Sequence, residues 1–166
     1  MIVFMMGRIG SVWAQDATAQ ERLIYSTDFT DWQSIDRTAT KDKVVRLKTQ
    51  YSNETFTFTL NGVGVDPVGD NTKFSGTGYM ITAKNIKELD DKSRKPSAIT
   101  SPLASITRLE LIQGSTGSNR GIKVSVRGDG DTDWVVIHNK ATKKGNQTLQ
   151  LDVNRTNCQI KFEDYD

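Results

Sequence analysis

The chain has 166 residues, a formal net charge of +2 and a single cysteine, Cys158. This length fits one domain with a core of its own, and one cysteine excludes an internal disulfide. The small surplus of positive charge does not favour nucleic acid or a membrane surface as a partner.

Residues 1–15 differ in composition from the rest of the chain. Residues 1–6 are apolar and small side chains lie near Ala14, a pattern that resembles a secretory signal peptide. Arg8 interrupts the apolar stretch and no charge precedes it, so the predicted signal peptide is a truncated one. The alternative is a disordered or cloning-derived tail. Cleavage near Ala14 would leave residues 16–21 as a polar linker and would make the protein secreted or periplasmic.

Four segments alternate apolar with polar side chains. Alternation with a period of two places one set of side chains in a core and the other in water. Because no amphipathic helix interrupts these segments, the sequence predicts an all-β fold over residues 22–166, an antiparallel, jelly-roll-like β-sandwich with long loops. The four segments are 55–60, 122–127, 149–154 and 158–163.

The first predicted strand of the domain needs a pairing partner, which the last strand often supplies. Residues 23–25 are predicted to be the first strand, and the rings of Phe29 and Trp32 follow it and are expected to plug one end of the core. Sandwiches often pair their first and last strands to close an edge. The chain stops at Asp166 directly after a predicted strand. We therefore expect a fragment without its closing strand, in which residues 23–25 lack a partner.

Turn residues divide the middle of the chain. Gly, Asn and Asp make 62–78 a predicted loop, and Pro102 marks residues 98–101 as an edge strand, where a missing backbone donor is tolerated. Further strands are predicted at 44–51, 79–83, 106–113 and 134–138, with a hairpin turn at 128–133.

Several stretches, in this order along the chain, are similar to one family. They are 55–61, 66–74, 78–79, 100–102, 106–121, 128–136 and 152–156. They resemble the β-sandwich domain at the N-terminal side of secreted pectate lyases and related polysaccharide-degrading proteins of gut and rumen Bacteroidetes. The resemblance extends over about residues 23–162. The family has a closing strand beyond the point where this sequence ends.

The resemblance implies a non-catalytic accessory module whose catalytic partner is a separate, C-terminal parallel β-helix domain. The implied ligand is a pectic polysaccharide such as polygalacturonate. A module of this kind raises the effective concentration of its enzyme at the polymer. Two alternatives remain: a structural spacer that packs on the β-helix, and a cell-surface adhesion or protein-interaction domain.

The candidate carbohydrate site combines basic and aromatic side chains on both sides of the predicted hairpin turn at 128–133. Aromatic rings stack on pyranoses, and guanidinium groups pair with uronate carboxylates. The alternative is an ordinary solvated face, because Glu110, Asp152 and Glu163 interleave with the same strands. The candidate residues are Asn119, Arg120, Lys123, Arg127 and Trp134.

Three aspartates at alternate positions, Asp129, Asp131 and Asp133, form a weak candidate for Ca²⁺, which prefers such oxygen ligands. Trp134 stands where a calcium-binding loop needs glycine, and Lys140 stands where it needs a bidentate glutamate. A polar hairpin tip is therefore the favoured interpretation, and the sequence requires no cofactor.

No catalytic residue is predicted. A pectate lyase centre needs a solenoid, and no repeat of that kind is visible. The single His138 has no second histidine or cysteine to form a catalytic pair. Cys158 lies on the apolar side of its predicted strand, so we expect a small buried hydrophobic residue there and not a reactive thiol.

Overall fold

A computed structural model describes residues 2–6, 22–37, 40, 43–48, 55–67, 79–82, 95–115, 120–142 and 145–165. Within these ranges the chain forms antiparallel strands and no α-helix. No helix in this part is long and apolar enough to cross a membrane. The strands are β1 (Ile2–Met6), β2 (Arg22–Thr27), β3 (Lys43–Lys48), β4 (Thr55–Asn61), β5 (Val63–Asp66), β6 (Tyr79–Thr82), β7 (Ser97–Thr100), β8 (Leu103–Ser115), β9 (Arg120–Arg127), β10 (Val135–Thr142) and β11 (Gly145–Asp164).

The 20-residue strand β11 organises the nine-stranded main sheet. Its first part, up to Cys158, pairs with β8, which continues through β1 to β2; we call this the short branch. Its last part, from Gln159, lies between β9 and β7; the order β3–β4–β7–β11–β9–β10 forms the long branch. The strands β5 and β6 form a separate pair. The two alternating segments at the end of the chain are thus one strand that serves both branches.

One buried cluster connects the two branches. Trp32, which follows β2, lies 5.9 Å from the ring of Phe58 on β4, and Phe58 lies 6.4 Å from Phe162 on β11. Most of the alternating residues predicted as core are buried, while Ile122, Leu149 and Leu151 are half-buried and pack against the core. The prediction that Trp32 belongs to the core is confirmed. The main buried strand residues are Phe58, Leu60, Ile106, Leu109, Leu111, Val124, Val126, Val153, Cys158, Ile160 and Phe162. The all-β, antiparallel class is confirmed, and the jelly-roll arrangement stays a prediction.

Two strand predictions were wrong. The strand β7 is not at an edge, because β4 and β11 pair with its two sides. Pro102 lies beyond the last residue of β7 and is exposed, so its missing N–H costs no ladder hydrogen bond. Residues 63–66 are not part of a loop but form β5, whose Val63 and Val65 are buried. Residues 68–78 lie outside the described part.

The structure gives residues 23–25 a partner. The strand β1, formed by residues 2–6, pairs with β2 on one side and with β8 on the other. The expectation that the first predicted strand would lack a partner is therefore wrong for this structure. Removal of residues 1–15 as a signal peptide stays a prediction.

Candidate functional site

The candidate site lies on the outer face of the long branch. On β9 and β11 the buried residues Val126 and Ile160 are register partners, and they alternate with residues on the opposite face. This alternation brings Arg127 opposite Gln159 in the register. Lys161 lies two register positions further along, opposite Ser125, and therefore on the same face as Gln159. Two cationic side chains from different strands thus share one surface.

Trp134, just before β10, holds these two cations together. The Arg127 guanidinium carbon and the Lys161 Nζ each lie 4.8 Å from the centre of the Trp134 ring. A cation within about 6 Å of a ring centre is attracted by the negative face of its π-system. We call Arg127, Trp134, Gln159, Lys161 and Glu163 the Trp134 cluster.

The two cations of the Trp134 cluster differ in their polar partners. Arg127 donates from its terminal nitrogen to the Gln159 Oε1 at 2.9 Å, and Gln159 Nε2 in turn donates to the backbone oxygen of Thr100 at 3.0 Å. Lys161 Nζ lies 3.1 Å from Glu163 Oε2 in an ion pair whose side chains are 18% and 13% exposed. Arg127 is exposed and hydrogen-bonds a neutral amide, whereas the charge of Lys161 is balanced by a neighbour.

The arrangement changes the expected role of Trp134. Its ring was predicted to stack on a sugar, but Arg127 and Lys161 already lie over it. A pyranose would have to displace a cation to reach that ring at the same place. The geometry instead suits a cation pair, positioned by the indole, that faces an anionic group.

The hairpin turn at 128–133 sets the position of Trp134. The Gly128 oxygen accepts the Asp131 N–H at 3.0 Å, Gly130 has a positive φ of 83°, and Asp131 Oδ2 accepts the Gly128 N–H at 2.9 Å. The Asp129 N–H donates to the backbone oxygen of Thr156 at 3.0 Å. The turn is thus closed upon itself and attached to β11, so the residue that follows it has a defined place.

The part of β11 that receives the turn is irregular. Its register to β8 shifts between Asp152 and Arg155, and Asn154 and Asn157 have φ angles of 48° and 44°. Asparagine tolerates this left-handed region better than most residues. We call residues 152–157, which contain the register shift and both asparagines, the β11 bend; they lie near the end of the part of β11 that pairs with β8.

Two aspartates of the turn are engaged by the β11 bend. Asp131 Oδ2 lies 3.0 Å from Arg155 Nε, and the Gly128 N–H, followed by the Arg155 side chain, lowers the pKa of Asp131 below its usual value. Asp129 Oδ2 accepts hydrogen bonds from Thr156 Oγ1 at 3.1 Å and Asn157 Nδ2 at 2.8 Å. Both carboxylates act as connectors between the turn and β11.

This network argues against the calcium candidate. Among the described residues, which include Asp129, Asp131 and Asp133, no group of three His, Cys, Asp or Glu side chains is placed to hold a metal ion. The Arg155 guanidinium already occupies the side of Asp131 that a cation would need. The hairpin-tip interpretation therefore fits the contacts better than Ca²⁺ binding does.

Of the other predicted site residues, Arg120 and Lys123 lie away from Arg127 and Trp134, although Lys123 is the register partner of Glu163, a member of the Trp134 cluster. Lys123 is on the same strand as Arg127 but four residues away, about 13 Å along the strand, opposite Glu163. Arg120 begins β9 as the partner of Thr142. Asn119 lies outside the described residues. The structure thus brings together Arg127 and Trp134 from the predicted set.

Sequence reasoning missed three contributors, Gln159, Lys161 and Arg155. Lys161 lies in the alternating segment 158–163 but was not among the predicted site residues. Only the pairing of β9 with β11 brings it to Trp134, and period-two alternation does not say which strands are neighbours. Arg155 is separated from Asp131 by 24 positions, so no local pattern reveals their ion pair.

His138 and Cys158 do not form a reactive centre. The His138 Nε2 is buried and has no hydrogen-bond partner in the described part, and its pKa is lowered by burial and then by the charge of Lys140. Cys158 is fully buried, as predicted, and burial raises the pKa of its thiol to about 11. A thiol in that state is a poor nucleophile.

Comparisons with known proteins found no match: no family model, curated protein or solved structure is similar to this chain.

Proposed function

We propose that this chain is a non-catalytic carbohydrate-binding module for an anionic polysaccharide, with a polygalacturonate-like chain as ligand. The observation that supports it is the placement of Arg127 and Lys161 over one Trp134 ring on the outer face of the long branch. In a secreted polysaccharide-degrading protein, such a module would hold the attached enzyme at its polymer.

The charge of the Trp134 cluster favours a carboxylate ligand. Arg127 is exposed, and its guanidinium presents several N–H donors in a planar fork that matches a carboxylate. Its hydrogen bond to the Gln159 amide leaves its positive charge without compensation from that partner. Uronate polymers offer one carboxylate per sugar, whereas xylan-like neutral chains offer none. Arg127 is therefore the principal ligand-binding residue of this proposal.

Lys161 has a supporting part. Its ammonium group is mostly buried and paired with Glu163, so it adds less to an external ligand than Arg127 does. It keeps positive charge beside the indole and limits the positions available to the Arg127 side chain. Trp134 acts through both cations and not as an open stacking platform.

Affinity electrophoresis in gels with polygalacturonate, with xylan or without polysaccharide tests this function. We expect retardation of the full chain only by polygalacturonate, weaker at higher salt because the interaction is ionic. Arg127→Ala is expected to weaken binding by about tenfold or more, the loss of one charge-assisted contact. Arg127→Lys should retain part of the binding, since it keeps the charge and loses the fork.

The chain offers a matched control. Arg46 is exposed on the outer face of the same branch, but it lies on β3, four strands from β9 and about 19 Å away across the sheet. Arg46→Ala removes the same charge and should leave retardation unchanged. Equal losses in Arg46→Ala and Arg127→Ala would indicate attraction by net charge only. Unchanged binding by Arg127→Ala and Trp134→Ala, with unchanged far-ultraviolet circular dichroism, would contradict the proposed site.

The structural spacer receives less support from the described residues. A spacer that packs on a β-helix needs a contiguous apolar outer patch. Val44 is exposed on β3, whereas the exposed Val135 and Val136 lie on β10. These strands are the two edges of the long branch, about 24 Å apart, and the neighbours Val135 and Val136 point to opposite faces of β10. Ile112 is exposed on β8 of the other branch. Failure of the folded chain to bind either polysaccharide would nevertheless favour the spacer over the module.

A further inference from the structure

The strand β1 fills a slot between two strands that do not pair with each other. Ile2 lies opposite Thr27 of β2 and Leu111 of β8, and Phe4 lies opposite Tyr25 and Leu109. The strand is antiparallel to both neighbours, so its backbone completes a ladder on each side. Five residues are enough to connect β2 to the rest of the main sheet.

Only β1 pairs with the two strand edges that border the slot. In the part of the chain that the structure describes, β1 is the only strand that pairs with β2. The opposite edge of β8 already pairs with β11. Without β1, one edge of β2 and one edge of β8 would face each other with unpaired backbone donors and acceptors. Such facing edges attract an extended peptide.

The neighbours of the slot define what would bind there. The row that contains position 4 of β1 has Tyr25 on β2, Leu109 on β8 and Leu151 on β11, all of them part of the apolar core or packed against it. The row that contains position 2 has Leu111 and Leu149. Two positions that are two residues apart thus continue core rows. A ligand strand needs large apolar side chains at these two positions.

The sequence pattern of the same segment adds a second argument. Residues 1–15 resemble a signal peptide, and its removal would empty the slot beside β2, whose Ile24 and Tyr25 are buried when β1 is in place. We propose that the slot between β2 and β8 is a strand-binding site. Its ligand is an extended peptide from a different protein, with large apolar side chains at two alternate positions, and Ile2–Met6 fills the site in this structure.

The proposal can be tested by cutting the chain after it has folded. A protease recognition sequence inserted between Gly10 and Ser11 lets the full chain fold first and then frees the segment that contains β1. A fluorescent peptide with the sequence Ile-Val-Phe-Met-Met and polar flanking residues is then added in excess. Its uptake is followed by fluorescence anisotropy and by co-elution in gel filtration.

We expect the cut chain to take up this peptide saturably and the uncut chain to take up none. A control peptide with aspartate at the positions of Ile2 and Phe4 should bind at least about tenfold more weakly, because charges would enter the core rows. If cutting unfolds the protein, addition of the apolar peptide should restore its circular dichroism.

Three results would overturn the proposal. The first is a cut chain that loses residues 1–10, stays folded and takes up no peptide. The second is equal uptake of the apolar and the aspartate peptide. The third is unfolding on cutting that the peptide does not reverse. Exchange of β1 between two copies of the uncut chain, seen as a dimer in gel filtration, would also overturn it, because the occupant would then be a second copy of this chain and not a different protein.

Discussion

Two regions of the molecule hold strands in place by different means. The first is the contact between the hairpin turn at 128–133 and the β11 bend, which we call the turn–bend contact. The second is the pairing of β1 with β2 and β8, which we call the β1–β2 edge. At the turn–bend contact, Asp129 and Asp131 use side chains to attach a hairpin to an irregular part of β11. At the β1–β2 edge, the strand register is a backbone ladder whose polar groups any extended segment could supply. The first contact depends on particular residues. The second depends on backbone pairing and on apolar side chains at alternate positions, so another strand with the same pattern can replace β1.

The largest expected effect concerns Leu109 on β8, the strand that pairs with β1. Leu109 is fully buried on β8 and lies between Phe4 of β1 and Leu151 of β11 in the register. Leu109→Ala should lower the free energy of unfolding by about 2–5 kcal/mol, because lost burial and a cavity act together. Urea denaturation measures this change.

Ile112 supplies the control on the same strand. Its side chain is 39% exposed, so Ile112→Ala should change the free energy of unfolding by about 0.5 kcal/mol or less. Equal effects of the two substitutions would show that β8 does not face the core as described.

A pH experiment examines the turn–bend contact through Cys158, the residue that follows the β11 bend. Burial raises the thiol pKa from 9.0 to about 11, so between these values the unfolded chain releases a proton that the folded chain keeps. The corresponding stability is complete below pH 9 and is lost as the pH rises toward 11, by about 2–3 kcal/mol. Denaturation curves recorded at pH 8, 9, 10 and 11 measure this loss.

Cys158→Ala isolates the thiol from other alkaline effects. Tyr25 also has a pKa raised by burial, so the parent loses stability from both groups above pH 10. The variant is less stable at pH 8, but its stability should fall less steeply between pH 9 and 11. Parallel curves for the parent and the variant would contradict a buried, protonated thiol.

Gly128 tests how closely the turn approaches β11. A Cβ atom at this position would lie 2.7 Å from the Thr156 oxygen and 3.2 Å from the Cys158 Cβ. Gly128→Ala should therefore cost about 1–3 kcal/mol, because the backbone of turn or strand must shift. Since the same turn positions Trp134, the variant should also weaken polygalacturonate retardation.

Gly130 offers the contrasting case within the same turn. A Cβ there would meet no atom within 4 Å, although φ is +83°. Asparagine tolerates positive φ, so Gly130→Asn should change the unfolding free energy by less than about 1 kcal/mol. A cost as large as that of Gly128→Ala would mean that the conformation of the turn matters more than its contact with β11.

The alternation in the sequence was sufficient to predict most strands. Phe58, Leu60, Val124 and Val126 lie in the core because strand side chains repeat with a period of two, and the prediction did not depend on neighbouring strands. The strand β7 was predicted, but its edge position was wrong, since a proline after a strand resembles a proline at an edge. The strand prediction failed for β5, whose glycine-rich sequence resembles a turn.

The candidate site was predictable only in part, because it depends on long-range pairing. Arg127 and Trp134 flank one hairpin turn, so their proximity follows from local sequence. Lys161 joins them only through the pairing of β11 with β9, and Arg155 reaches Asp131 across 24 positions because the turn lies against β11. Contacts between residues that are far apart in the sequence produce no periodic pattern from which they could be predicted.

The smallest expected effect concerns the ion pair between turn and bend. The Gly128 N–H and then Arg155 lower the pKa of Asp131, so the folded chain holds a proton at this carboxylate less tightly than the unfolded chain does. The resulting stability is present above the usual pKa of 3.8 and is lost as the pH falls through the lower folded-state value. Melting temperatures between pH 6 and 2.5 should therefore fall more steeply for the parent than for Asp131→Asn.

Asp133→Asn is the matched control, and it should follow the parent curve if the turn is attached to β11 through Asp131. An Asp131→Asn curve that coincides with the parent would mean that the backbone contact from Asp129 to Thr156 is sufficient to hold the turn, and that Arg155 adds little to the placement of Trp134.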